Sequence, residues 1–298
     1  MSEAVWVPIF SKCFEKCDPV GFTIAVTHFT MPIRGDKLSM NVRVNEHLHH
    51  SVTEFQTIDI YDTEVFGRAL LLDGHIQLTE MDERAYHESL VHVCGLSVPS
   101  LKRALVIGGG DGGVIRELCR YPGIERIDMV EIDAGVVNAC REHLPTVSAG
   151  AFDDPRVHLH VGDAFEFVKQ DLEPYQLIVS DSTDVYEGEE GNLSEMLFTS
   201  TFYADVKRLL SPEGFVVTQA DNLVFCPYSL EEIRGQFDAV FPLTGWYQAV
   251  VPSFGGFSGY CWASLGATVL PELPTAPFEL ASLNEVTWRW GQTALVFA

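Results

Sequence analysis

Apolar and polar positions change their rhythm near residue 80. Between residues 38 and 79 they alternate over short runs, SMNVRV (39–44), FQTIDIYDT (55–63), RALLLDG (68–74) and HIQLT (75–79), with Gly67 and Asp73-Gly74 at hairpin positions. This predicts a small antiparallel β unit. From Asp82 the spacing becomes helical, with Tyr86, Leu90 and Val93 on one face, and Pro99 is expected to close the segment. Short apolar strands then alternate with helices: ALVIG, helix 113–121, IDMVEI, helix 134–143, VHLHV, helix 164–172, YQLIVSD, helix 199–210 and FVVTQ. Five strands of this kind, joined by helical crossovers, specify a doubly wound, mostly parallel α/β sheet. A helix near 229–240 and two β-rich stretches, 245–252 and 258–265, follow. The last thirty residues, with three prolines before Phe278, read as a surface-running tail ending on ALVFA. The chain thus divides into a β-strand domain over 1–80 and an α/β domain over 81–298, with no repeat or long linker.

Composition narrows the class. At 298 residues, 47% hydrophobic and 20% charged, the chain can build a sizeable core. Its net charge of -23 repels phosphate backbones, so nucleic acid is not expected as a partner, while cations concentrate near its clefts. The seven cysteines form no CxxC; Cys13 and Cys17 lack the second pair of a structural zinc site, so no metal is expected. The HLHH run at 47–50 reads as a solvated strand end. MSEAVWVPIF has no secretory pattern and no run of about 18 apolar residues occurs, which predicts a cytoplasmic protein without a membrane span.

Candidate chemistry gathers at the strand ends. LVIGGGDGG (105–113) is a glycine-rich turn between the first parallel strand and its helix, where a ligand could approach the backbone closely. Alone it is compatible with a dinucleotide site, a nucleoside site or a tight turn. Glu131, ending the second strand in MVEID, could accept both hydroxyls of a ribose. Asp163, after the third strand in VGDAF, could accept from an adenine amine. Either acid alone reads as a helix N-cap; the ordered trio describes an adenosine pocket. Asp111 within the turn would repel a cofactor carboxylate and attract an ammonium, which favours decarboxylated S-adenosylmethionine over the intact molecule. The fourth strand ends in SDSTD, placing Asp181 as proton acceptor from an amine, with Asp184 and Tyr86 orienting it. Glu187, Glu189, Glu190 and Glu195 lie in the following acidic loop; Glu189 and Glu190 read as solvated surface, while extra carboxylates beyond the reacting amine would suit a multiply charged acceptor.

These residues resemble the spermidine, spermine and thermospermine synthases. The shared motifs run from TEFQ (53–56) and LTEMDERAYHE (78–88) through IGGGDGGVIRE, VEID, DDPRVHLHVGDAFEF and DSTD to FTSTFY, VTQADN and VPSF (251–254). The resemblance implies aminopropyl transfer from decarboxylated S-adenosylmethionine, a co-substrate rather than a tightly bound cofactor, on a Rossmann-like methyltransferase-type domain with a small N-terminal antiparallel β domain. It implies a homodimer or homotetramer built through that β domain. It implies that Gln56, His87, Asp111, Glu131 and Asp163 hold the nucleoside, with Gly108, Gly110 and Ala164 beside them. Asp181 would be the catalytic base, and Tyr86, Asp184, Glu187, Glu195, Gln219 and Phe254 would line the amine channel. VPSF carries Phe254 where spermidine synthases usually have tyrosine, which leans the expected acceptor towards spermidine, with putrescine as the alternative. A methyltransferase and a catalytically inactive polyamine-binding protein share much of the pattern; Asp111 argues against the first and the Asp181-Asp184 pair against the second.

Overall fold

The computed structural model describes residues 27–34, 37–182, 197 and 199–294, and these are organised by two sheets. Strands β1 (Thr27–Arg34), β2 (Leu38–Val52), β3 (Thr57–Thr63), β4 (Gly67–Leu72) and β5 (His75–Thr79) form an antiparallel meander in chain order. The β4–β5 turn uses Asp73 and Gly74, both at positive φ (49 and 80), as a two-residue hairpin turn requires. One face of the meander packs Ile58, Ile60, Leu70, Leu72 and Leu78 onto helices α3 (Ala134–His143) and α4 (Pro145–Ser148). The other gathers Phe29, Met31, Val42, Val44, Tyr61, Ala69 and Leu71. Burial on both faces explains why β4 reads as an unbroken apolar run.

β2 is longer than its apolar alternation predicts, at 15 residues. Two register shifts, between Val44 and Glu46 and between His47 and His49, keep it paired to β3 through the polar stretch. The HLHH run is therefore not a strand end: it lies inside the ladder, because bulges reset the in/out alternation that the sequence pattern depends on.

The second sheet has seven strands in the order β11-β12-β10-β9-β6-β7-β8. β6 (Arg103–Gly108), β7 (Arg126–Glu131), β8 (Val157–Val161), β9 (Tyr175–Asp181) and β10 (Leu210–Gln219) are parallel; β12 (Gly256–Ser264) is antiparallel to both β10 and β11 (Leu243–Val251). Successive residues of β6 serve opposite layers, Ala104 and Val106 joining one core and Leu105 and Ile107 the other. Helices α1 (Glu83–Gly95), α2 (Gly113–Cys119), α5 (Ala164–Val168), α6 (Ser200–Arg208) and α7 (Pro227–Val240) complete the layers. α5 is shorter than the expected 164–172; the Arg208 guanidinium binds the carbonyls of Val168 and Gln170 where the helix would continue. The chain leaves β6 towards β7 and β8 on one side and reaches β9 and β10 on the other, so a crevice opens at the carboxyl ends of β6 and β9.

The tail runs over the surface as expected, and it is held there by buried contacts at Leu283, Trp288 and Gly291. Glu88 of α1, fully buried, accepts from the backbone nitrogens of Ala281, Ser282 and Leu283 at 2.7, 2.7 and 3.1 Å. Helix α8 (Glu285–Gly291) then buries Trp288, whose indole donates to the Leu270 carbonyl. Prolines prevent a regular ladder here, and a distant carboxylate satisfies the backbone in its place. Residues 295–298 of the ALVFA end lie outside the described residues.

Candidate active site

The glycine turn after β6 is shaped mainly by the protein's own groups. Gly108 has φ +77, and a Cβ there would stand 2.3 Å from the Asp181 carbonyl oxygen. Gly109 donates its backbone N–H to that oxygen at 2.9 Å, which brings the end of β9 against the turn. At Gly113 a Cβ would meet the His87 ring at 2.2 Å. At Gly110 it would meet Val136 at 2.8 Å and Glu131 Oε2 at 3.0 Å. The expectation that absent side chains admit a ligand is thus corrected at Gly108 and Gly113: the space there is taken by Asp181 and His87, two of the expected site residues.

Around that turn, buried charges form a chain. Asp111 Oδ1 accepts from the Gly113 backbone N–H at 2.6 Å and lies 3.2 Å from His87 Nε2. His87 Nδ1 faces Glu83 Oε2, one helical turn earlier on α1, at 2.8 Å. Glu83 in turn receives both terminal nitrogens of Arg116, at 2.9 and 2.8 Å. Burial alone would hold the His87 imidazole neutral, but Asp111 and Glu83 flank it and raise it to about 10, so it carries charge at neutral pH.

Asp181 sits beside this chain. Its Oδ1 accepts the Tyr86 hydroxyl at 2.6 Å, while Oδ2 is buried with no hydrogen-bond partner. Burial first, and the nearby Asp111 second, push its carboxyl up to about 6 against the opposing pull of His87 and Tyr86. Acceptor or donor atoms of His87, Asp111 and Asp181 all lie within 4.8 Å of one another. A buried carboxylate oxygen without a donor, next to a second carboxylate, is a place that a cationic N–H donor would complete.

The other expected residues surround this centre. Glu131, 8% exposed, accepts from the Asp133 backbone N–H at 2.9 Å; burial, then Asp133 and Asp111, raise it to about 7. Gly162, just past β8, donates to the Glu131 carbonyl at the end of β7, which places Asp163 two residues beyond the end of β8. Asp163 caps α5 through the Phe165 N–H at 2.7 Å and is exposed; Ala164 opens that helix and packs against the core. Gln56 reaches from the β2–β3 loop to Asp133 Oδ2 at 3.0 Å, joined there by Thr53 at 2.8 Å. Gln219 is buried, its amide nitrogen donating to the Ser182 carbonyl and its amide oxygen accepting from the Asp221 N–H. Phe254 stands edge-on to Tyr86 with centroids 5.5 Å apart. Asp184, Glu187 and Glu195 lie outside the described residues.

Sequence reasoning passed over Glu83, Arg116, Asp133 and Asp82. Glu83 was signalled by its i,i+4 spacing to His87, and Asp133 by its place two residues after Glu131. Asp82 does not cap α1 with its side chain; it holds the backbone N–H and hydroxyl of Ser253 at 2.7 and 2.9 Å, tying the VPSF turn to the start of α1.

The reversal of strand order at β6, with carboxylates at its rim, defines a Rossmann-like α/β protein. Comparison with known proteins is more specific: the family model described as Spermine/spermidine synthase domain matches residues 83–269, and the one described as Spermidine synthase tetramerisation domain matches 28–80. The chain belongs to the spermine/spermidine synthase family. Proteins named polyamine aminopropyltransferase from Moorella thermoacetica and Klebsiella pneumoniae are 41% and 42% identical to it over 253 and 233 residues. These alignments cover 85% and 77% of this chain and 82% and 79% of the relatives. A crystal structure of a spermidine synthase in complex with the transition-state analogue AdoDATO aligns with a TM-score of 0.84 at 27% identity, over 90% of this chain and 92% of that one. The spermidine synthase from Thermotoga maritima gives 0.83 at the same identity, over 90% and 91%. Among the described residues no helix is long and apolar enough to cross a membrane.

Proposed function

We propose that this chain transfers the aminopropyl group of decarboxylated S-adenosylmethionine to a polyamine and releases methylthioadenosine. The observation that carries the reading is the unpartnered, buried Asp181 Oδ2 beside Asp111 and Tyr86. Gln56, Asp133, Glu131 and Asp163 would hold the nucleoside, with Asp111 facing the aminopropyl ammonium. The acceptor ammonium gives its proton to Asp181, and the freed nitrogen lone pair attacks the carbon next to the sulfonium. The N–C bond forms as the C–S bond breaks, and the electron pair leaves on sulfur, so neither a metal nor a covalent enzyme intermediate is needed.

For the acceptor, the reading is spermidine, giving spermine or thermospermine. Phe254 supports it by placing an apolar ring edge-on to Tyr86, where no phenol can hold the far ammonium of a short diamine. Putrescine is the second reading, favoured by the two solved neighbours being named spermidine synthases. The match to a tetramerisation family model over 28–80 supports a homo-oligomer assembled through the β1–β5 sheet. Purified protein given decarboxylated S-adenosylmethionine with spermidine, putrescine, agmatine or norspermidine, followed by chromatography of the products, tests both levels. Spermidine consumption with methylthioadenosine release is expected. Turnover of putrescine alone would reverse the acceptor, and methyl transfer from intact S-adenosylmethionine would refute the activity.

A further inference from the structure

A second cluster of metal-capable side chains lies on the β1–β5 sheet, away from the cleft. The bulge at 47–49 resets β2 so that His47 pairs with Tyr61 and His50 with Asp59 in the ladder to β3. Their side chains converge: Asp59 Oδ1 is 2.8 Å from His47 Nε2 and 2.9 Å from His50 Nδ1. One ligand atom from each of the three lies within 4.8 Å of the others. His49, between them, turns elsewhere, its ring 5.0 Å from that of His143.

Tyr61 supports the cluster from beneath. Its ring stacks on His47 at 4.3 Å and 19° and on Phe29 at 5.0 Å, and it is only 7% exposed. The two imidazoles above it are open, with side-chain exposures of 39% and 56%.

We propose that His47, His50 and Asp59 bind one divalent transition-metal ion of the zinc class at a site separate from the catalytic cleft. Two imidazole nitrogens and a carboxylate oxygen are the donor set of borderline ions, whereas Mg²⁺ and Ca²⁺ take oxygen ligands. Bonds of about 2.0–2.2 Å in a tetrahedron place ligand atoms roughly 3.3 Å apart, so the imidazoles need retreat from Asp59 by only about 0.5 Å. The ion replaces two hydrogen bonds that crowd a single carboxylate oxygen, and water completes its coordination on the open side. The ligands come from two paired strands, so coordination also ties β2 to β3. The other three-ligand cluster among the described residues, His87, Asp111 and Asp181, belongs to the cleft already described.

The test is calorimetric titration of the full chain, stripped of metal by chelator, with ZnCl2 and separately with MgCl2. Alongside it run His50→Gln and His47→Ala, whose side chains are exposed and outside the cleft, and Cys13→Ser/Cys17→Ser as a control for thiol binding of the metal. One zinc per chain at micromolar affinity or tighter is expected, weakened about tenfold or more in either histidine variant and unchanged in the cysteine variant. Mg²⁺ should give no saturable heat. With Co²⁺ as the probe, visible d–d absorption of a four-coordinate nitrogen/oxygen site should appear in the wild type and be lost in His50→Gln. Absence of stoichiometric zinc binding, or zinc binding and Co²⁺ spectra identical in His50→Gln, would overturn the assignment. Aminopropyl transfer is measured on the same samples; its failure in the wild type would count against the catalytic reading alone.

Discussion

If Asp181 takes the proton from the acceptor amine, activity must follow its ionisation. Its carboxyl, pushed up to about 6, is about one-tenth ionised at pH 5 and nine-tenths at pH 7, so kcat/KM should rise about tenfold between them. Asp181→Asn keeps the side-chain shape and an oxygen for the Tyr86 hydroxyl but cannot take a proton. Loss of a general base costs about 10²–10⁴ in rate, roughly 3–5 kcal/mol in the barrier. Tyr86→Phe separates this account from a purely structural role. The hydroxyl donates at 2.6 Å to the charged form of Asp181 and therefore lowers its pKa. A hydrogen bond to a charged group contributes about 1.5–3 kcal/mol, so removing it should move the acid limb upward by about 1–2 pH units. The assay is methylthioadenosine release by chromatography from pH 5 to 9. An acid limb that stays in place or moves downward in Tyr86→Phe, or an Asp181→Asn enzyme within tenfold of wild type, would refute the reasoning.

Further expectations follow from the same charges. Glu131 is raised to about 7 and must be ionised to accept two ribose hydroxyls, so methylthioadenosine affinity should rise as pH increases through 7; Glu131→Gln, read by titration calorimetry, should flatten that rise. Glu83→Gln removes the carboxylate that faces His87 and clamps Arg116, and should lower the His87 pKa and raise KM more than it lowers kcat; an unchanged KM would contradict its positioning role. Glu88→Ala strips the buried acceptor from three backbone N–H groups and should cost about 3–5 kcal/mol of stability, with faster hydrogen exchange at 281–283. A melting point within a degree of wild type would rule out that role.

The parallel α/β sheet was legible because Ala104, Leu105, Val106 and Ile107 are buried on alternate faces and leave the unbroken apolar run of a strand covered on both sides. Glu131, Asp163 and Asp181 were legible for a related reason: carboxylates standing just past such runs must fall at one edge of the sheet. Contacts between residues distant in sequence left no local trace. Glu88 meets 281–283 across nearly two hundred positions, so nothing local in the proline-broken, surface-running stretch marked where it is held. The bulges in β2 were hidden because a one-residue slip changes no composition, only which side His47 and His50 face. Nor does GGGDGG reveal which glycines accommodate the protein and which a ligand; Gly113 is open only until His87 is placed beside it.

Cofactor discrimination by Asp111 is the most direct test of the account. An ammonium about 4 Å from a carboxylate is attracted by about 4 kcal/mol at an effective dielectric near 20, and a second carboxylate at that distance is repelled. With His87 at 3.2 Å offsetting part of the charge, the wild type should prefer decarboxylated S-adenosylmethionine over the intact molecule by about a hundredfold or more in dissociation constant. In Asp111→Asn the two affinities should approach each other. Equal binding of the two by the wild type, or an undiminished preference in Asp111→Asn, would contradict it.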